Sequence, residues 1–191
     1  MKICVLIKQV ASEDSSLILN DDKLSLNTSS INFVSNEPDT YALEEALLIK
    51  EKYDAEVTVC TLGSDSARQV LKDALAKGAD KGMFISNENS DDSSPLNIAK
   101  IIATALKDES YDLVLSGLQS NDQGFSQIGL LVAEYLNTSH ASLVMGTELI
   151  NGCKDVKVKL ELENGWFQWS ELSLPASLTI QSGINSPRYA T

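Results

Sequence analysis

The order of short apolar runs and helical segments is the feature that most limits what this chain can fold into. Up to Met145, five apolar runs alternate with four segments whose apolar residues recur at helical spacing. The runs predicted to be strands cover residues 2–8, 56–62, 81–85, 112–115 and 141–145. Strands that alternate with helices are typical of an α/β fold, so we predict a five-stranded, mostly parallel sheet with helices on both faces.

The helix boundaries are predicted from caps and breakers. Asp39 is the predicted N-cap of a helix that begins near Tyr41, and Pro38 argues against an earlier start. The other helices are predicted over residues 65–77, 95–107 and 126–137, with a polar, acidic loop over residues 87–94.

The last quarter of the chain has a different pattern. Residues 154–162, 166–174 and 176–181 alternate like antiparallel strands, and Asn164-Gly165 is a strong hairpin turn. Alternation in residues 17–26 predicts another hairpin. We therefore predict a single domain over residues 1–191, with a hairpin extension at about 152–182. Trp166 and Phe167 fall on opposite faces of their strand, so we expect one face to lie in the core and the other to contact a partner.

A strand, a glycine, a polar loop and a helix start follow one another between Asp112 and Gly129. Gly117 ends the strand, and the next helix begins near Ser126. Backbone N–H groups at a helix N-terminus have no partner within the helix and attract phosphate. Parallel sheets bind ligands at the carboxyl ends of their strands, so residues after the other strands, including Lys8 and Leu62, are candidates as well.

Composition excludes several classes of function. The net charge is −12, from 27 acidic and 15 basic residues, which disfavours nucleic acid and anionic membranes as partners. No apolar run reaches the roughly 18 residues of a membrane span, and the first residues resemble a strand, so we expect a cytoplasmic or organelle-matrix protein. Three widely spaced cysteines suggest no disulfide framework or zinc site, and His140 is the one histidine, which argues against a His-rich metal site or a catalytic triad.

Five segments in register resemble the beta subunit of electron transfer flavoprotein. They are residues 2–10, Asn36-Glu-Pro-Asp-Thr-Tyr-Ala-Leu-Glu-Glu-Ala46, Ala74-Leu-Ala-Lys-Gly-Ala-Asp80, Ser116-Gly-Leu-Gln-Ser-Asn-Asp-Gln-Gly-Phe-Ser-Gln-Ile-Gly129, and the end from Leu174-Pro-Ala to Asn185-Ser-Pro-Arg-Tyr-Ala-Thr191. Their order and spacing agree along nearly the whole chain.

The resemblance implies an electron carrier subunit without catalytic residues of its own, with an adenine nucleotide alpha hydrolase-like fold. It implies pairing with an alpha subunit that shares an FAD, and transfer of electrons from dehydrogenases to a quinone reductase or another acceptor. It also implies that this subunit binds AMP or, in electron-bifurcating members, a second FAD. The nucleotide-site residues carried over by motif are Leu6, Asn36, Asp39, Leu62, Gly117, Gln119, Asp122, Ser126, Gln127 and Ile128.

Two features depart from the family pattern. Asp122-Gln-Gly-Phe-Ser-Gln127 matches neither the three consecutive acids of AMP-binding members nor the Asp-Gly-Asp-Thr run of bifurcating members, so AMP and a second FAD both stay open, with AMP preferred. The family also continues beyond this chain's last residues into a partner-recognition loop and a C-terminal arm, which we expect to be absent here. The alternative is a stand-alone adenine-nucleotide-binding regulatory protein of the universal stress type, which would not need the hairpins of residues 154–181.

Overall fold

A computed structural model describes residues 1–87 and 94–190. The strands are β1 (Lys2–Leu6), β2 (Gln9–Ala11), β3 (Phe33–Ser35), β4 (Glu56–Gly63), β5 (Lys81–Ser86), β6 (Leu113–Gly117), β7 (Ser139–Ile150), β8 (Asp155–Glu161), β9 (Phe167–Ser173) and β10 (Ala176–Ile180). The helices are α1 (Glu37–Tyr53), α2 (Arg68–Ala76), α3 (Pro95–Leu106) and α4 (Ile128–Leu136). The acidic loop predicted between β5 and α3 lies largely outside the described residues.

The main sheet confirms the predicted α/β class. Its strand order is β5-β4-β1-β6-β10-β7-β8-β9, and every neighbouring pair from β5 to β7 is parallel. The pair β8–β9 is antiparallel, as the Asn164-Gly165 turn between these strands predicts, and β7–β8 is antiparallel as well. Strands β2 and β3 form a separate antiparallel pair beside this sheet.

The last strand, β10, corrects the sequence-based prediction. It was expected to be antiparallel, but it lies inside the sheet, parallel to both β6 and β7, so the parallel part has six strands. All of its residues are buried, including Ser177 and Thr179, whose hydroxyls bond Thr138 and Ser142. The apolar–polar alternation therefore reflects small hydroxylated residues under a helix rather than a solvent-exposed face.

Helices cover both faces of the parallel strands. Helices α1 and α2 share one buried cluster with the main sheet, in which Ile3, Leu47 and Leu113 are nearly inaccessible. Helices α3 and α4 form a second cluster on the opposite face, around Val114 and Val132. Among the described residues, no helix combines the length and apolar character needed to cross a bilayer.

Three local predictions change in the structure: the start of helix α1, the hairpin over residues 17–26, and the burial of the aromatic residues in the β8–β9 hairpin. Helix α1 begins at Glu37 rather than near Tyr41, with Pro38 in its first turn, where a missing N–H breaks no helical hydrogen bond. The hairpin predicted over residues 17–26 is reduced to one isolated bridge between Leu19 and Leu26.

The aromatic residues of the β8–β9 hairpin were expected to place one face in the core. Instead Trp166, Phe167 and Trp169 are all exposed. Phe167 and Trp169 lie under the ammonium groups of Lys159 and Lys157.

Candidate nucleotide-binding cleft

A cleft of about 620 Å³ opens at the carboxyl ends of β1, β4 and β6. This volume is within the roughly 300–1,000 Å³ that small-molecule sites occupy. All ten residues predicted from the sequence line it: Leu6, Asn36, Asp39, Leu62, Gly117, Gln119, Asp122, Ser126, Gln127 and Ile128. They come from four separate parts of the chain, which the parallel sheet brings to one edge.

Asp39 joins the ends of the two central strands β1 and β6. Its carboxylate accepts hydrogen bonds from the backbone N–H of Lys8 at 2.8 Å and of Gly117 at 2.9 Å. Burial raises the pKa of Asp39 to about 6, although these two N–H groups, the Asn36 side chain and the Lys8 charge oppose the shift. The side chain was predicted to cap α1, but both carboxylate oxygens are instead used to hold neighbouring strands together.

Gly117 is required by the approach of α1. A Cβ at this position would lie 2.6 Å from the Asp39 carboxylate, 2.6 Å from the Pro38 carbonyl carbon and 2.7 Å from the Asp39 backbone nitrogen. Two of these three atoms belong to the backbone and cannot turn away as a side chain can. The glycine therefore lets the start of α1 pack directly against the end of β6.

Asn36 fixes the loop that follows β6. The side chain is buried, donates to the carbonyl of Gln119 at 2.9 Å and accepts from the N–H of Asn121 at 2.9 Å. Because both polar groups of its amide bond the loop backbone, the Asn36 side chain positions the loop.

Helix α4 points an uncapped N-terminus at the cleft. Gln127 is the N-cap and makes no side-chain capping bond, and the first bond inside the helix runs from the N–H of Leu131 to the carbonyl of Gln127. The preceding residue, Ser126, has a φ of 55°, and its hydroxyl donates to the Gln119 side chain at 3.0 Å. Backbone N–H groups in this first turn and the positive end of the helix dipole are thus available to an anion.

Gly129 brings this helix close to the sheet. A Cβ there would lie 2.6 Å from a methyl carbon of Thr179 and closer still to the hydroxyl of Ser116. The Ser116 hydroxyl is buried and has no hydrogen-bond partner among the described residues. A buried hydroxyl without a partner costs roughly 1–3 kcal/mol.

The floor of the cleft is apolar. It is formed by Leu6, Leu62, Ile98, Ile102 and Ile128, which come from both strands and helices. An apolar floor beside a polar, N–H-rich rim suits a ligand with a flat ring at one end and an anionic group at the other.

Comparison with known proteins decides the family. A model of the electron transfer flavoprotein domain matches residues 23–191. The electron transfer flavoprotein subunit beta of Methylophilus methylotrophus is 37% identical over 193 residues, covering 100% of this chain and 73% of the relative. The chain belongs to the electron transfer flavoprotein family, as a beta-subunit member.

Other beta subunits show the same relationship. The protein of Syntrophomonas wolfei is 33% identical over 190 residues, covering 99% of this chain and 73% of the relative. A probable electron transfer flavoprotein subunit beta of Saccharomyces cerevisiae is 32% identical over 192 residues, with 99% and 73% covered. The predicted family is confirmed, and no comparison favours the universal stress type.

Two charged residues of this beta-subunit member meet at the rim of the cleft. The ammonium group of Lys8 lies 2.6 Å from a carboxylate oxygen of Asp122. Partial burial raises the pKa of Asp122, but hydrogen bonds from Lys8 and Ser120 and the Lys8 charge outweigh it, so the net shift is downward. Asp122 also accepts a hydrogen bond from the N–H of Gln123.

Sequence reasoning missed part of this site. Ser116 and Phe125 line the cleft but were given no role, and Lys8 was noted at a strand end without one. Ser116 carried a signal, because it is the hydroxyl that interrupts an otherwise apolar strand. Cys4 and Cys60 are buried and free. The described residues contain no group of three or more His, Cys, Asp or Glu side chains placed to hold a metal.

Proposed function

We propose that this beta subunit binds an adenine nucleotide in the cleft and pairs with an alpha subunit to complete the setting of a shared FAD. In this role it contributes no catalytic residue of its own. The heterodimer would carry electrons from dehydrogenases to a quinone reductase or another acceptor. The compartment we propose is the cytoplasm or an organelle matrix, consistent with three cysteines that are all free.

The observation that carries the nucleotide proposal is the pairing of two unsatisfied features on the same rim. The first turn of α4 offers N–H groups without a capping side chain, and the Ser116 hydroxyl beside it has no partner among the described residues. A phosphate group supplies acceptors for both. The apolar floor beneath them supports an adenine ring.

The charges of the cleft favour AMP over a second FAD. Of the described residues that line it, Lys8 is the one basic side chain, and its ammonium group is already bonded to Asp122. Phosphate must therefore be held mainly by the N–H groups at one helix N-terminus. A single phosphate group matches this limited supply better than the pyrophosphate of FAD.

The nucleotide can be identified directly. We expect that the chain, purified together with its alpha subunit and then denatured, releases AMP in a ratio near one per heterodimer, measured by liquid chromatography and mass spectrometry. FAD in excess of one per heterodimer would instead identify the second-FAD form. Release of no adenine nucleotide other than the shared FAD would contradict the proposal.

A charge substitution tests the position of the phosphate. The Gln127→Glu variant places a carboxylate at the start of α4, where it favours the helix dipole by about 0.3–1 kcal/mol but repels phosphate. We expect a folded heterodimer with strongly reduced AMP content. The matched control is Gln69→Glu, which adds the same charge to the first turn of α2, away from the residues that line the cleft. Equal AMP content in both variants would place the phosphate elsewhere.

A further inference from the structure

Lys8 connects the end of β1 to the loop that follows β6. Its ammonium group lies 2.6 Å from the Asp122 carboxylate, 3.0 Å from the side-chain oxygen of Gln123 and 3.4 Å from the hydroxyl of Ser120. Its backbone is fixed as well, because its N–H donates to Asp39 and its carbonyl accepts from the N–H of Asn36. The side chain therefore projects from an anchored strand end to a loop at the mouth of the cleft.

Two side chains from distant segments tie the loop over residues 119–124 to the body of the protein. The first tie is Asn36, which is buried and bonds the loop backbone on both sides of Ser120. The second is Lys8, whose side chain is 37% exposed and whose partner Asp122 is 39% exposed. An exposed ion pair is weaker and more sensitive to salt than a buried amide, so the Lys8 tie is the one that opens first.

The geometry of Lys8 favours a tie to the loop over direct contact with phosphate. An ammonium group has three N–H donors, and three loop side chains provide three acceptors within reach. No donor is left over for a ligand in this arrangement. A phosphate could recruit the ammonium group only by breaking one of these bonds, including the short one to Asp122.

We propose that Lys8 is a positioning residue that holds the loop over residues 119–124 closed at the rim of the cleft, so that its bond to Asp122 sets the rate of nucleotide release. This inference rests on the proposed nucleotide site. The nucleotide is held by the floor and by α4, and Lys8 controls the loop beside them.

The test uses the heterodimer with three variants: Lys8→Met, Asp122→Asn and the two combined. Each single change breaks the same ion pair, so we expect each to speed release of radiolabelled AMP by about 3- to 5-fold, as the loss of an exposed pair worth up to 1 kcal/mol implies. The double variant should release AMP no faster than either single variant, because the pair can be broken only once. Raising the salt concentration should speed release from the wild type and leave the variants nearly unchanged.

Adenosine, which lacks phosphate, separates this role from direct phosphate binding. If Lys8 holds the loop, Lys8→Met weakens the binding of adenosine and of AMP by the same factor. If Lys8→Met weakens AMP alone, or if Asp122→Asn has no effect on release, the proposal is overturned.

A matched control comes from an equivalent ion pair away from the cleft. Lys50 and Asp80 lie 2.6 Å apart with side chains 29% and 36% exposed, which closely resembles the Lys8 pair. Lys50→Met removes the same charge from α1 and should leave AMP release unchanged.

Hydrogen exchange tests the loop without any nucleotide. The N–H of Gln123 donates to Asp122 and that of Gly124 to the carbonyl of Ser120, so both bonds lie within the loop. Lys8→Met should raise the exchange rates of both N–H groups several-fold in the nucleotide-free heterodimer, whereas Lys50→Met should not. Unchanged exchange would overturn the role of Lys8 even if AMP binds, and raised exchange without any AMP binding would support the loop contact while rejecting the nucleotide site.

Discussion

Replacing Gly117 with alanine tests whether the approach of α1 to β6 organises the cleft. The added methyl group would meet the Asp39 carboxylate and the Pro38 carbonyl carbon at 2.6 Å and the Asp39 nitrogen at 2.7 Å. Ordinary contacts of a Cβ begin at 3.4 Å, so the start of α1 must retreat by most of an ångström. That retreat also stretches the hydrogen bond from the Gly117 N–H to Asp39, now 2.9 Å.

Two costs combine in this variant. Inserting a methyl group into a well-packed region costs about 1–3 kcal/mol. Weakening a hydrogen bond to a buried carboxylate costs up to about 1.5–3 kcal/mol more. We therefore expect Gly117→Ala to lower the free energy of unfolding by about 3–5 kcal/mol, a large share of the 5–15 kcal/mol available to a typical domain.

Urea unfolding followed by far-ultraviolet circular dichroism measures this loss. The matched control is Gly82→Ala in β5, where the nearest heavy atoms to an added Cβ are Leu71 carbons at 3.6 Å, an ordinary contact. We expect the control to stay within about 1 kcal/mol of wild type, because glycine is itself unfavourable inside a strand. If Gly117→Ala also stays within 1 kcal/mol, the close packing of α1 on β6 does not carry the stability assigned to it.

Three further changes are informative. Arg188→Met should lower the free energy of unfolding by about 2–3 kcal/mol, because it leaves the buried Glu44 without the guanidinium group that bonds both of its carboxylate oxygens. Adding Glu44→Gln should recover over half of this loss, measured from the urea midpoints. An Arg188→Met variant as stable as wild type would refute this. The pKa of Asp39 is raised to about 6, so its favourable effect on stability is complete below about pH 4 and is lost as the pH rises through 6. Asp39→Asn should therefore flatten the dependence of the urea midpoint on pH across that window. Parallel plots of midpoint against pH for the two proteins would argue against the shift. Ser116→Ala should leave the nucleotide-free protein as stable as wild type or slightly more stable, and should reduce the AMP affinity measured by calorimetry. An unchanged affinity would show that the Ser116 hydroxyl has no ligand partner.

The parallel part of the sheet was largely predictable, and its last strand was not. Strands such as β1 and β6 are apolar on both faces, which is the pattern of burial under helices on two sides. Strand β10 is equally buried but alternates, because Ser177 and Thr179 bond other hydroxyls and Thr179 lies under Gly129. A local pattern cannot distinguish a polar side chain that faces water from one that faces a tightly packed helix.

The sequence predicted which residues form the site, and the structure shows which hydrogen bonds each of them makes. Asp39 was identified as a helix cap from its sequence position, yet its carboxylate joins Lys8 and Gly117, which lie 31 and 78 residues away along the chain. Asn36 was predicted as a nucleotide-site residue, and the structure adds that its amide bonds the loop after β6. Each partner lies on another segment, so no local pattern could name it.

The sequence alone determined the alternation of strands and helices, the glycine and polar loop after β6, and the family. The alternation and the loop follow from periodicity and from local backbone preferences, which act over a few residues and are written in the order of the chain. The family follows from the resemblance of five segments in register. Only the tertiary structure decided where β10 inserts, which carboxylate meets which strand end, and which hydroxyl remains without a partner. Those outcomes depend on contacts between distant segments. These contacts form, and contribute to stability, only when the sheet and helices pack together.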